Sequence, residues 1–244
     1  MPGQFQLLKT KRFLPLFLTQ ALGAFNDNAF KAGIIVLIAY SANNNVDTML
    51  VPLASSMLII PMIIFSPLAG SIADKFDKSK VTRILKMTEL VLMLLAVFGL
   101  LSGGVYYLMS VLFLAGVQST FFGPIKYGAL PKLLEKQELI GANALIEMST
   151  FLAILLGMLI GSVVPTYSYG YQWLSLILVI VAMCGLGTSM YVPKLVGEPT
   201  IKLNFNIFTG LYDSFKNVYA DKYSFLCIIA ISWFWLLGAV FLAV

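Results

Sequence analysis

Histidine is absent from all 244 residues, and that one gap removes Ser/His and Cys/His nucleophile systems, HExxH zinc sites and imidazole proton relays together. Any proton chemistry falls to carboxylates. Charge is scarce too: 11% of residues are Asp, Glu, Lys or Arg, against about 25% in a soluble domain. Cysteine occurs twice, at Cys184 and Cys227, in separate apolar stretches. This argues against a disulfide framework or a CxxC metal site and predicts two buried structural thiols. Neither a metal nor a cofactor is implied, and nothing in the sequence points to an enzyme.

What fills the space is apolar. Hydrophobic residues make up 59% of the chain and mean hydropathy is +0.91. One packed core cannot hide apolar runs that recur from Leu14 to Val244, so lipid is the solvent they require. Runs of about 20 residues cross the hydrocarbon layer as helices, which predicts spans at roughly 13–40, 48–72, 82–102, 105–125, 140–164, 169–192 and 224–244. Lys9, Lys11 and Arg12 precede the first run in the charge order of a signal peptide. That run is too long for one and carries Asp27 and Lys31, so it reads as an uncleaved first span.

The net charge of +5 does not form a basic stripe interleaved with aromatics, so nucleic acid is not the expected partner. The bases punctuate alternate loops instead. Residues 41–47, 102–104 and 165–170 hold no Lys or Arg, while 74–86, 126–136 and 193–222 hold Lys75, Lys78, Lys80, Arg83, Lys86, Lys126, Lys132, Lys136, Lys194, Lys202, Lys216 and Lys222. By the positive-inside rule the basic loops are cytoplasmic, which places the N-terminus inside and the end of the seventh span outside.

The third basic loop carries Ile207, Phe208, Leu211, Tyr212, Phe215, Val218 and Tyr219 at three- and four-residue spacing. Asp213, Lys216, Asp221 and Lys222 bracket the opposite face. The pattern predicts an amphipathic linker helix on the cytoplasmic membrane surface; a lipid-binding role is the alternative. The expected organisation is a six-span bundle over 1–192, a linker over 193–223 and a further span over 224–244.

Candidate functional residues are charges where lipid should forbid them. Asp27 lies near the middle of the first span, where a charge costs several kcal/mol unless paired or hydrated, on the order of +2.5–3.5 by insertion scales. Lys31 is one turn away on the same face. The two form either a structural ion pair or a substrate or coupling site. Glu89, Lys126 and Glu147 are further candidates, with an ion pair stitching the bundle as the competing reading. Arg83 and Lys86 are expected to snorkel to the interface. Pro61 and Pro67 should kink the second span, and Gly157 and Gly161 form a small-xxx-small face for helix packing.

Between the second and third spans stands Gly70-Ser71-Ile72-Ala73-Asp74-Lys75-Phe76-Asp77-Lys78-Ser79-Lys80. It resembles the loop signature of the major facilitator superfamily, with Gly70 for close helix approach, Asp74 for contact with a neighbouring helix N-terminus, and Lys75, Lys78 and Lys80 as the bases. The resemblance implies a gate that changes partners as the carrier rocks; a stop-transfer charge cluster is the plain alternative. Asp77 and Ser79 depart from the family pattern, at a usual Gly and a usual base, which leaves the turn geometry open.

Three further segments carry a narrower resemblance: Phe25-Asn26-Asp27-Asn28; Gly123-Pro124-Ile125-Lys126-Tyr127 with Leu130-Pro131; and Ala142-Asn143-Ala144-Leu145 through Glu147, Thr150, Ala153, Ile154 and Gly157. Together and in that order they are similar to the bacterial lysophospholipid transporters. The resemblance implies a flippase-type carrier moving lysophospholipids inward across the inner membrane for reacylation. Its partners would be the lysophospholipid substrate, membrane lipids, and a missing C-terminal bundle or an acyltransferase. Some relatives are fused to acyltransferase domains, but the histidine of that enzyme's His-x-x-x-x-Asp motif does not exist here. The competing readings are a carrier of another small amphiphile and a non-transporting membrane scaffold.

Overall fold

The computed structural model describes residues 4–41, 49–102, 104–201, 203 and 206–243. Among them there is helix and no strand, as lipid requires: a helix satisfies its own backbone hydrogen bonds, and an open strand edge does not. The helices are α1 (Leu14–Ser41), α2 (Leu50–Ser56), α3 (Ile59–Lys75), α4 (Lys78–Ser102), α5 (Val105–Leu133), α6 (Leu139–Val163), α7 (Gly170–Met190), α8 (Ile207–Ala220) and α9 (Lys222–Ala243). Six long apolar helical segments are of membrane-crossing length, with Lys222–Gly238 as a shorter apolar helix. The chain is an all-α, multi-pass membrane protein. The loop at 41–47, which holds no Lys or Arg, falls largely outside the described residues, as does Lys202.

The helices overrun the apolar runs on the basic side of the bundle. α4 begins at Lys78 and α5 continues to Leu133, past the hydropathy-based limits of 82 and 125. Hydropathy falls at the first charge, but the helical ladder continues through Lys126, Pro131 and Lys132. Lys126 is therefore inside a helix and does not follow its end.

The second span shows where proline acts. It is broken into α2 and α3 at Met57–Leu58, ahead of Pro61. Pro61 has no N–H to give the Met57 carbonyl four residues earlier, and its ring crowds that oxygen. The freed Met57 carbonyl lies against Gly116 of α5, where a Cβ would come within 2.7 Å of it. Pro67 is accommodated within α3.

α1 is the hub of the bundle and packs on α5, α6 and α7, while α4 packs on α5 and α7, and α3 on α5. Two glycines set the closest of these contacts: a Cβ on Gly157 or Gly161 would overlap the Phe25 or Ala29 carbonyl oxygen of α1. The small-xxx-small face is thus the α1–α6 seam. One apolar cluster gathers Phe30, Ile34, Ile38, Met93, Leu108, Leu112 and Leu178; a second gathers Phe13, Leu16, Leu130, Leu145 and Ile146. Along α1 the polar residues Gln20, Asn26 and Asp27, all buried, fall between them.

The outward faces are apolar and exposed, for example Leu94, Phe98, Leu155 and Leu156, which is the arrangement lipid selects. Cys184 and Cys227 are also exposed, correcting their expected burial: an all-round apolar helix does not reveal by hydropathy which side faces lipid.

The described chain separates into two compact units, Met1–Leu203 and Asn204–Val244. In the second, Asn206 caps α8 by accepting from the amides of Phe208 (3.1 Å) and Thr209 (3.3 Å). Phe208, Tyr212, Phe215 and Tyr219 of α8 are exposed. Asp221 accepts from the amides of Tyr223 and Ser224 and starts α9. Residues 192–198 belong to the first unit, with Val192 and Leu195 buried in it.

Candidate functional site

A buried polar layer crosses the bundle between the two apolar clusters. From α4, Lys86 and Glu89 form an ion pair at 2.6 Å, with side chains 1% and 3% exposed. Spacing of three residues puts them on one face, and that face is turned inward. The Asn26 amide of α1 donates to Glu89 Oε1 at 3.4 Å, and the Lys86 ammonium stands 5.1 Å from the centroid of the Phe122 ring of α5. Gly23 of α1 leaves the room: a Cβ there would overlap Lys86 Nζ.

This corrects the expectation that Lys86 snorkels. Arg83, one turn earlier, does reach the helix ends, donating to the carbonyls of Met190 (3.2 Å) and Val192 (3.5 Å). Lys86 has a carboxylate in reach inside the bundle, and a buried charge goes to its partner.

Asp27 stands thirteen residues past Leu14, about 20 Å along the helix at 1.5 Å per residue. Ser119 of α5 donates its hydroxyl to Asp27 Oδ2. Asp27 Oδ1 and the neighbouring Asn26 Oδ1 are buried with no hydrogen-bond partner among the described residues. Lys31 does not close an ion pair with Asp27 among those residues. Asp27 is thus a buried acid with one oxygen satisfied and one left over.

Lys126 and Glu147 lie in a second group, between α5 and α6. The Tyr127 hydroxyl donates to Glu147 Oε1, and Lys126 Nζ lies 4.5 Å from the centroid of the Tyr127 ring. Lys126 and Glu147 form no direct ion pair among the described residues. Toward the end of α5, Arg12 joins Glu138 at 2.6 Å and ties the N-terminal segment to α6. The five residues singled out from sequence therefore fall into two sets, Asp27 and Glu89 with Lys31 one turn from Asp27, and Lys126 with Glu147.

Sequence reasoning missed Lys86, Ser119 and Gln20. Gln20 donates to Ser149 of α6 and accepts from Thr150 at 3.0 Å. A signal for Ser119 was present: Gln118-Ser119-Thr120 puts three polar residues together halfway along α5, matching the depth of Asp27 in α1.

The α3–α4 turn is a set of caps. Lys78 is buried, and its ammonium donates to the Ala73 carbonyl at the end of α3, where a cation also meets the negative end of the helix dipole. Asp77 Oδ1 accepts from the amide (2.9 Å) and hydroxyl (2.7 Å) of Ser79 and from the Lys80 amide (3.3 Å), capping α4. The two departures from the family pattern thus complete each other. Burial of Asp77 opposes its ionisation, but the hydrogen bonds from Ser79, Lys80 and Leu195 outweigh it and hold the carboxyl below its ordinary value.

Asp74 is largely exposed and has Lys78 Nζ at 3.9 Å. Lys75 and Lys80 line the surface beside it. At Gly70 a Cβ would meet nothing within 4 Å among the described residues, so no close helix approach among them depends on it.

A six-helix bundle with a paired charge in its interior and a capped acidic turn between its second and third spans defines an all-α, multi-pass membrane protein. The Major Facilitator Superfamily sequence model matches residues 16–244, and the chain belongs to that superfamily. It is similar to "Lysophospholipid transporter LplT" of Escherichia coli O6:K15:H31, 29% identical over 194 residues, covering 77% of this chain and 45% of that one. The proteins of the same name from Shigella flexneri serotype 5b and Cronobacter sakazakii are 26% identical over 235 residues and 25% over 231, each covering 93% of this chain and 55% of the relative. The chain spans about half the length of these relatives.

Proposed function

We propose that this chain is the substrate-receiving half of a lysophospholipid carrier in the bacterial inner membrane, with its N-terminus in the cytoplasm. It would act without enzymatic chemistry, moving the lipid inward for reacylation. The division of labour is a bundle over 1–192, a linker over 193–223 and, over 224–244, the first span of a second bundle.

The observation that carries the reading is Asp27, a buried carboxylate in the first apolar span whose Oδ1 has no hydrogen-bond partner among the described residues. A charge in lipid without a partner or water is too costly to keep as passive filling, so Asp27 calls for a cationic or donor ligand. A zwitterionic headgroup supplies one. Its ammonium would meet Asp27 Oδ1, while its phosphate would be met by Lys31 or Lys126, which form no ion pair among the described residues. Lys86 and Glu89, already satisfied by each other, would hold the site's frame. The acyl chain would stay in lipid. Gly70, Asp74, Lys75, Lys78 and Lys80 would form the gate, with exposed Asp74 free to engage a second bundle.

The test is Asp27→Asn in a complete carrier containing this half, expressed in cells lacking their own activity. Uptake and reacylation of labelled lysophosphatidylethanolamine should fall by tenfold or more, on the order of the effect of losing one charge-assisted contact, with folded protein unchanged. Normal uptake by a well-expressed Asp27→Asn carrier would sink the proposal.

A further inference from the structure

The segment that follows α7 is fastened along the α3–α4 turn. The Lys78 amide donates to the Leu195 carbonyl at 2.9 Å and the Glu198 amide to the Asp74 carbonyl at 2.8 Å. The Leu195 amide reaches Asp77 Oδ1 at 3.5 Å, and Lys132 of α5 donates to the Val196 carbonyl at 2.8 Å. Gly197 lies so close to the turn that a Cβ would overlap the carbonyl oxygens of Lys75 and Phe76. Turn and strap therefore form one backbone frame, although more than a hundred residues separate them.

That frame encloses an open cleft of about 310 Å³, lined by Lys75, Phe76, Asp77, Lys80, Lys194 and Val196 with Gly197 and Pro199. Three lysines line it, Lys75 and Lys80 from the turn and Lys194 from the strap. None of the three has an ion-pair partner among the described residues. The one acid in the lining, Asp77, has its Oδ1 occupied by amides and a hydroxyl and its Oδ2 buried. Asp74 and Glu198 stand on the frame outside the lining, Asp74 beside Lys78. The lining keeps a surplus of two positive charges, and exposed Phe76 and Val196 form an apolar wall beside them.

Like charges gathered on a fixed frame repel one another until an anion joins them, and a phosphate offers oxygens enough for three lysines. We propose that this cleft is a phosphate-binding site whose anion bridges Lys194 of the strap to Lys75 and Lys80 of the turn. The apolar wall and the position at the ends of the spans favour a phosphate carried by an anionic phospholipid headgroup. The site is independent of the Asp27 layer and of which molecule the carrier moves.

The test uses this chain purified in detergent, with melting followed against dihexanoyl-phosphatidylglycerol and, separately, inorganic phosphate at constant ionic strength. A saturable rise in melting temperature is expected with the lipid. It should be lost in Lys75→Gln/Lys80→Gln/Lys194→Gln, reduced in the milder Lys194→Gln, and kept in Lys136→Gln. A lysine-dependent rise with the lipid alone assigns a headgroup; an equal rise with inorganic phosphate assigns the same site to the free anion. Responses to both ligands that are the same in the triple variant as in the unaltered chain overturn the proposal.

Discussion

Glu89 and Asp27 are two acids of one buried layer, linked through neighbouring Asn26, and their circumstances are opposite. Glu89 has an ammonium at 2.6 Å and an amide at 3.4 Å. Asp27 has one serine hydroxyl and an oxygen with no hydrogen-bond partner among the described residues. Burial alone therefore does not separate structure from function. What separates them is whether the charge is already answered inside the bundle, since an answered charge is committed to its internal partner and an unanswered one remains available to a ligand.

The largest expected effect breaks the answered pair. Lys86→Met leaves Glu89 buried without its cation and should cost about 3–5 kcal/mol, seen as loss of folded, monodisperse protein in detergent. Lys86→Met/Glu89→Leu should recover most of that loss, because it removes both desolvated charges. Asp27→Asn, by contrast, removes a charge that no partner answers and should leave the melting temperature unchanged or raise it. A Lys86→Met protein as stable as the unaltered chain would show that Lys86 and Glu89 do not act as a structural pair, and the comparison with Asp27 would collapse.

An intermediate effect sharpens the same contrast with two glycines. Gly161 touches the Ala29 backbone, whereas Gly70 borders open space. Gly161→Leu should cost about 1–3 kcal/mol by overpacking the α1–α6 seam. Gly70→Ala should be neutral or stabilising by up to ~1 kcal/mol, since alanine is the better helix former. Thermal melts of the two variants side by side decide it, and equal destabilisation would refute the assignment of the seam to Gly161. If Gly70→Ala slows transport in a complete carrier without lowering stability, the close approach lies against the second bundle.

Much of this was legible in advance for a physical reason: lipid forces long apolar helices, so the spans, the Asp27 anomaly and the seam at Gly157 and Gly161 are written in hydropathy and small-residue spacing. The partners of the charges were not. Lys86 and Arg83 look alike in sequence, both bases near the start of α4, and only the rotation of α4 sends one to Glu89 and the other to the carbonyls at the end of α7. Which of Lys31 and Ser119 approaches Asp27 also depends on how α5 lies against α1. Lipid-facing and core-facing sides of an apolar helix carry the same residue types, hence the error over Cys184 and Cys227.

The smallest effect concerns the turn, where Asp77 departs from the superfamily pattern and takes up the cap of α4. Asp77→Ala removes an acceptor from the amides of Ser79 and Lys80 and should cost about 1 kcal/mol, as N-cap losses do. Asp77→Asn keeps an acceptor and should cost less. The charge adds a pH signature with a fixed sign. Because hydrogen bonds hold the folded carboxyl below its ordinary value of 3.8, its contribution is present above the unfolded value, near 4, and fades as pH falls through the lower folded value. Hydrogen exchange at the Ser79 and Lys80 amides reads the cap locally: exchange should quicken in Asp77→Ala at neutral pH, and the gap between Asp77→Asn and the unaltered chain should close as the pH falls below about 4. Amides that exchange equally slowly in Asp77→Ala would mean that the loop's departure from the family pattern leaves the start of α4 unaffected, and that the strap at Leu195 holds the turn without it.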